Sequence, residues 1–189
     1  MNGPNWWIVA AIAVFLALAG LYLSMTAGRL DRLHRRIEMA FGTLDVLLAR
    51  RCAVTLELAG SGVLDPAAST VLIDSAHGVL AVVDQEADTG RRWLAESDLT
   101  RTLGSVFDDA QEIDALREEP GAAQLLAALA ATCQRVSLSR RFLNDGVRAC
   151  RQVRRQRLVR WLRLAGRTPW PQTVEMDDTP PEGLSGIAA

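Results

Sequence analysis

Residues 30–58 read LDRLHRRIEMAFGTLDVLLARRCAVTLEL, and the spacing of their apolar positions decides the fold. Leu30, Ile37, Leu44, Arg51 and Leu58 form one column with a seven-residue repeat. Leu33, Ala40, Leu47 and Val54 form a second column three residues later. That spacing puts both columns on one side of an α-helix, as a coiled-coil-like seam. Only Arg51 interrupts it. The fragment 54–58 also alternates like a strand, but it continues the heptad unbroken and is read as helix.

Working outward toward the N-terminus, residues 6–25 read WWIVAAIAVFLALAGLYLSM, twenty residues with no charge. At about 1.5 Å of rise per residue they reach about 30 Å, the thickness of a bilayer's hydrocarbon core. Trp6, Trp7 and Tyr22 suit the interfacial aromatic belts. A cleaved signal peptide would carry positive charge before the apolar stretch and a small-x-small site after it. The preceding residues are instead Met-Asn-Gly-Pro-Asn, and Met25-Thr26-Ala27 offers no such site. The segment therefore reads as a retained transmembrane helix. Arg29, Arg32, Arg35 and Arg36 follow it, and the positive flank of a span stays cytoplasmic. The expected order is a short external N-terminus at 1–5, the span at 6–25, a cytoplasmic bundle at 29–167 and an extended or disordered acidic tail at 168–189.

Working outward toward the C-terminus, the pattern stays helical. Gly60-Ser61-Gly62 ends the first helix, and Asp65-Pro66 supplies an N-cap and a first-turn proline for the next. That second helix is expected to bury Ala68, Leu72, Ala76, Val79 and Val83 and to stop at Gly90. A third holds Leu99, Leu103 and Val106, beginning a turn or two before Ser97. Asp109 followed by Glu112 resembles a capping box for a short piece ending at Pro120. The last helix is expected over 121–165, with Leu126, Leu129, Cys133, Val136, Leu143, Val147 and Cys150 at core spacing. The prolines at 169, 171, 180 and 181 then forbid further helix. The fold class is all-α: a transmembrane helix followed by an antiparallel three- to four-helix bundle with long helices.

The formal net charge of −1 hides a strong sorting of charge. Residues 29–64 carry +2, 65–119 carry −9, 120–170 carry +10, and the last nineteen residues carry four acids. All 21 basic residues are Arg, a usage that fits a G+C-rich bacterial genome. In an up-and-down bundle the last helix returns to the membrane and overhangs the first by about 20 Å. Its end carries Arg151, Arg154, Arg155, Arg157, Arg160, Arg163 and Arg167, interleaved with Val153, Leu158, Val159, Trp161, Leu162 and Leu164. A basic amphipathic segment at that place suits anionic headgroups, at roughly 1 kcal/mol per Arg. The expected lipid contacts are Arg29, Arg32, Arg35, Arg36, Arg154, Arg155, Arg157, Arg160 and Arg163. The alternative is a solvated helix face that offsets the acidic middle. The acidic middle also opposes nucleic-acid binding, so no nucleic-acid partner is expected.

The stretch Ala40-Phe41-Gly42-Thr43-Leu44-Asp45-Val46-Leu47-Leu48-Ala49-Arg50-Arg51 resembles the first-helix signature of the LemA family, an aromatic followed by Asp and a basic pair. Ala95-Glu96-Ser97-Asp98-Leu99-Thr100-Arg101-Thr102-Leu103 is similar to that family's central stretch. Ser139-Arg140-Arg141-Phe142-Leu143-Asn144-Asp145-Gly146-Val147 is similar to its final-helix motif. Two departures mark a divergent branch: the Pro-Asn after the first basic pair is missing, and Leu143 replaces a Tyr. The resemblance implies a membrane-anchored helical bundle; together with the basic flank after the span, the expected place is a bacterial cytoplasmic membrane with the N-terminus outside.

Helix lengths counted from either end put Asp45, Arg50 and Arg51 on the first bundle helix near Arg140, Arg141, Asn144 and Asp145 on the last. An interhelical polar layer is expected there, fixing register, since charges in a seam cost desolvation unless paired. His34 and His77 lie far apart, Cys52, Cys133 and Cys150 have no clip spacing, and no phosphate loop or nucleophile elbow occurs. The expectation is a non-enzymatic scaffold or adaptor without cofactor or metal. It would bind an unidentified protein partner through its exposed faces, including 84–119 and the tail at 174–178. The alternative is a small-molecule or enzymatic site at the polar seam. Self-association through the seam, giving a homo-oligomer, is a further expectation.

Overall fold

The computed structural model describes residues 6–85, 89–162, 166 and 168–187. Six α-helices run through them: α1 Trp6–Gly60, α2 Pro66–Asp84, α3 Thr89–Val106, α4 Ala110–Leu116, α5 Ala122–Arg154 and α6 Arg157–Trp161. A 3-10 turn, Glu182–Leu184, follows. Among the described residues there is no strand, and the fold is all-α. The apolar stretch 6–25 and the heptad stem are one uninterrupted helix of 55 residues.

The chain forms two compact units, not one bundle over 29–167. The larger comprises Ala40–Asn144 and Val174–Ala189; the smaller comprises Met1–Met39 and Asp145–Thr173. The physical reason lies in helix length. α2 and α3, at 19 and 18 residues, are too short to line the whole of α1, so only its distal part enters the larger core.

In the larger unit, Leu44, Leu48, Arg51, Cys52, Thr55, Leu58 and Ala59 of α1 are all buried. This face is broader than a two-column seam, because α1 packs against more than one helix. Asp65 caps α2, its carboxylate accepting from the Ala67 and Ala68 N–H groups at 2.8 and 3.1 Å. Leu72, Ala76 and Val79 point inward as expected, but Val83 is exposed. α2 ends at Asp84, well over a turn early, and Gly90 lies inside α3 rather than ending a helix. α3 buries Trp93, Glu96, Leu99, Thr100 and Leu103, so its inner face is part polar. The short helix ends at Leu116, not at Pro120, with Asp109 accepting from the Gln111 N–H. Every residue assigned to the core face of the last helix is at most 4 % exposed.

In the smaller unit, Leu30, Cys150, Val153 and Val159 form a separate cluster with Leu33 and Ile37 against it. The stem and the returning chain therefore lie side by side, with Ile37 3.5 Å from the position a Cβ on Gly146 would take. The last helix does not run to 165. α5 stops at Arg154, Gln156 is extended at ψ 136°, and α6 restarts at Arg157. Six residues separate Val153 from Val159, about 240° around a continuous helix, so the break is what turns both into the cluster of Leu30. The 20 Å overhang expected of a 45-residue helix is thereby lost. Arg163 and Arg167 lie outside the described residues.

Residues 168–181 form no helix or turn, and the segment from 174 to 187 is docked in the larger unit. Val174, Met176, Asp178 and Leu184 are buried, and Leu184 joins the main core with Ile113 and Phe107. It is a component of the larger unit and not an appendage.

Burial separates two α2 residues that share one expected face. Leu72→Ala is expected to cost about 2–5 kcal/mol in chemical denaturation, whereas Val83→Ala, at an exposed position, stays within about 0.5 kcal/mol. Equal losses would mean that α2 is rotated from this packing.

Candidate functional site

Arg51 stands where the heptad expects an aliphatic residue, and its side chain is 2 % exposed. A buried guanidinium is tolerated only with partners. Arg51 Nη2 donates to Glu96 Oε2 at 2.7 Å and to the Glu96 carbonyl at 3.1 Å, and Nη1 donates to Thr100 Oγ1 at 2.9 Å. Glu96 is 1 % exposed. Arg51 Nε is buried without a hydrogen-bond partner. Nearly two turns nearer the start of α1, Asp45 Oδ1 lies 2.9 Å from Arg92 Nη2, a charge contact outside hydrogen-bond alignment. Arg92 in turn lies over the Trp93 ring, which meets Phe41 edge-on. α1 and α3 are thus locked in parallel register by pairs at 45 with 92 and 51 with 96.

The same Thr100 hydroxyl reaches the C-terminal segment, 2.9 Å from the Asp177 carbonyl and 3.0 Å from the Glu96 carbonyl. Accepting from Arg51, it has one proton to give to either. Beside it, Ser97 Oγ accepts from the Asp177 N–H at 2.9 Å and donates to the Trp93 carbonyl at 2.7 Å. From α5, Asn144 closes on the Val174 backbone at two points. Its Oδ1 accepts the Val174 N–H at 2.9 Å, and its Nδ2 donates to the Val174 carbonyl at 3.1 Å. Arg140 holds Asp178 in a fork, Nε to Oδ2 and Nη2 to Oδ1, both at 2.7 Å. Hydrogen bonding to Asp178 is the largest influence on the Arg140 guanidinium and raises its pKa. A raised folded pKa stabilises below the unfolded value and loses that stabilisation only above the folded one. For an arginine both lie beyond the working range, so the Arg140 side of this pair adds no pH dependence near neutrality.

Along the held segment burial alternates: Val174, Met176 and Asp178 are buried, Glu175 and Asp177 exposed. That is a strand's period of two with helical side chains in place of a neighbouring strand. The arrangement is a clamp for extended backbone, reading the main chain at 174 and 177 and a carboxylate at 178.

The smaller unit holds the preceding residues in the same manner. Arg151 Nε donates to the Pro171 carbonyl at 2.8 Å, and Arg154 donates to the Pro169 and Thr168 carbonyls at 2.6 and 2.9 Å. Arg154 also lies 5.0 Å from the Trp170 ring centroid.

The expected polar layer between the first and last bundle helices is therefore replaced by other pairings. Asp45 and Arg51 turn to α3, Arg140 and Asn144 turn to the C-terminal segment, and Asp145 pairs with Arg148 on its own helix. Arg50 and Arg141 are exposed. The helix-length count that opposed 45 and 51 to the last helix had no way of weighing α3, which offers Glu96 and Arg92 nearer by. Sequence reasoning missed Glu96, Ser97 and Thr100 as site residues. The alternation Val-Glu-Met-Asp-Asp at 174–178 was the readable signal for the ligand strand.

Burial pushes the Cys52, Cys133 and Cys150 thiols upward, more than nearby Arg51 or Arg154 lowers them. Among the described residues no cluster of three or more His, Cys, Asp or Glu is arranged to hold a metal ion. The chain matches no family model, no curated protein and no solved structure.

Two outcomes check this geometry. Arg51→Met strands a buried Glu96 and is expected to cost about 3–5 kcal/mol. Arg51→Met with Glu96→Leu should cost less than the two single changes added, by more than about 2 kcal/mol in a double-mutant cycle. Additive losses would dissolve the pair. The raised thiols should resist iodoacetamide in the native protein at neutral pH and all react once it is unfolded, read by mass spectrometry.

Proposed function

We propose that the chain is a non-enzymatic, single-span scaffold or adaptor of the LemA type. In this reading it sits in a bacterial cytoplasmic membrane with its N-terminus outside and its helices in the cytoplasm. The observation that carries the proposal is the first part of α1: an 18-residue window with mean hydropathy 2.4 and none of its residues buried. An apolar surface of that length with no protein covering it is suited to lipid. α2 also passes as a span by length and composition, at mean hydropathy 1.4, but Leu72, Ala76 and Val79 give it a place in the core.

A headgroup contact is supported by the smaller unit's own packing. Leu30 follows the span's last residue by five positions, about 7.5 Å of helix. Val159 of α6 packs into the cluster of Leu30. α6 then falls at headgroup depth, with Arg157 and Arg160 beside Trp161, which is 81 % exposed. A cation-flanked, uncovered Trp is the chemistry of an interfacial anchor.

The protein should stay in the pellet after alkaline carbonate extraction. A C-terminal alkaline phosphatase fusion should be inactive and a C-terminal fluorescent-protein fusion bright; the opposite pair would reverse the orientation. In nanodiscs, hydrogen exchange over 157–161 should be about tenfold slower with phosphatidylglycerol than with phosphatidylcholine. Arg157→Glu with Arg160→Glu should remove the difference, and indifference of the native protein to lipid charge would remove the headgroup contact.

A further inference from the structure

We propose that the groove between α3 and α5 of the larger unit is a binding site for an extended acidic segment of a partner protein. The ligand pattern is small apolar, any, apolar, any, Asp, and the chain's own 174–178 is the resident competitor. This rests on the adaptor reading and names the chemistry of its partner.

Three observations carry it. The recognition is independent of how the ligand is tethered: Asn144 takes both backbone groups of Val174, and Ser97 and Thr100 take both backbone groups of Asp177. One side chain is read by charge, Asp178 in the fork of Arg140. Any extended segment with a carboxylate four residues after a small apolar side chain supplies the same groups.

Release is also provided for on the α3 side. Without the segment, Thr100 keeps its bond to the Glu96 carbonyl and Ser97 keeps its bond to the Trp93 carbonyl. On the α5 side, Asn144 is 7 % exposed and the Arg140 side chain 20 % exposed. Emptying the groove would exchange these directed bonds for water, so a segment that restores them is favoured over an empty groove. Exchange of occupants, not vacancy, is the favourable event. Glu175 and Asp177 are exposed, yet their charges also favour the Arg140 guanidinium, so acidity at these positions assists the fork without being read by contact.

A covalently attached occupant acts at a high effective concentration, on the order of millimolar for a short tether. A partner segment therefore competes only when it binds more tightly or when the resident segment is displaced.

The test uses the full chain in detergent micelles and, as probe, a fluorescein-labelled peptide of residues 171–181. Val174→Asp with Met176→Asp in the protein puts charge into both apolar seats and expels the resident segment. Fluorescence anisotropy should then show saturable binding at least tenfold tighter than to the unaltered chain. A probe carrying Asp178→Arg should bind at least tenfold more weakly, and adding Arg140→Asp to the expelled protein should restore it. Absence of saturable binding by an expelled variant with native helicity and melting would overturn the proposal. So would probe binding confined to dimers by light scattering, which would assign the groove to tail exchange between copies.

If the expelled variant fails to fold, hydrogen exchange on the unaltered chain decides. The Val174 and Asp177 amides should exchange at least tenfold faster than the Val136 amide in the middle of α5. Equal protection would make the segment inseparable from the fold and overturn the proposal. Loss of peptide binding with carbonate-resistant membrane insertion intact would remove this inference alone and leave the anchored-bundle reading standing.

Discussion

A guanidinium with almost no exposure to water constrains everything around it. Arg51 occupies a core position of α1, where Leu44 and Leu58 lie seven residues to either side. Leaving that charge unpaired would cost several kcal/mol, so α3 must deliver Glu96 and Thr100 to one height on α1 and to no other. Aliphatic faces slide past one another at little cost; a buried Arg–Glu pair does not. The pair therefore acts as the register pin that a single polar core residue supplies in a coiled coil. Thr100 extends the constraint outward, because the hydroxyl that accepts from Arg51 also faces the Asp177 carbonyl. Core register and tail docking share one side chain.

Arginine appears in two further roles that depend on its planar fork. Arg140 meets a carboxylate with two parallel bonds, and Arg154 reaches two carbonyls while lying over an indole ring. A lysine offers one point charge and could reproduce neither. The absence of lysine from the chain therefore has a structural consequence, whatever produced it: each of these positions carries the side chain that can make several directed bonds at once.

The period of the apolar residues made the helices and their inner faces legible. Leu30, Leu44 and Leu58 were assigned inward and are buried, as is the whole core face of α5, because burial follows periodicity wherever a helix packs along its length. The pairings were not legible. A Glu at 96 in the middle of an ordinary amphipathic helix reads as solvated, and only the approach of Arg51 makes its burial favourable. The break at 155–156 has no glycine or proline to announce it. Arg and Gln there are good helix formers, and it is the joint burial of Val153 and Val159 against Leu30 that overrides them. Val83 failed in the opposite direction: its apolar spacing was right, but at the end of α2 its side chain stays 45 % exposed.

The C-terminal segment shows why composition misleads about docking. Proline at 169, 171, 180 and 181 excludes helix and lowers the entropy lost on holding an extended chain. Such a chain has no hydrogen bonds of its own, so it can be buried only where side chains supply them. Asn144 does this for Val174, Ser97 and Thr100 do it for Asp177, and the Phe107 carbonyl accepts the Gly183 N–H at 3.1 Å. At Gly183 a Cβ would stand 2.8 Å from that same carbonyl, so only glycine brings the backbone this close. The polar residues on α3 and α5 therefore bear on the tail rather than on each other. Inner polar groups that would be costly in an aliphatic seam are satisfied here by the backbone of an extended segment, so the tail and the polar faces of α3 and α5 account for each other.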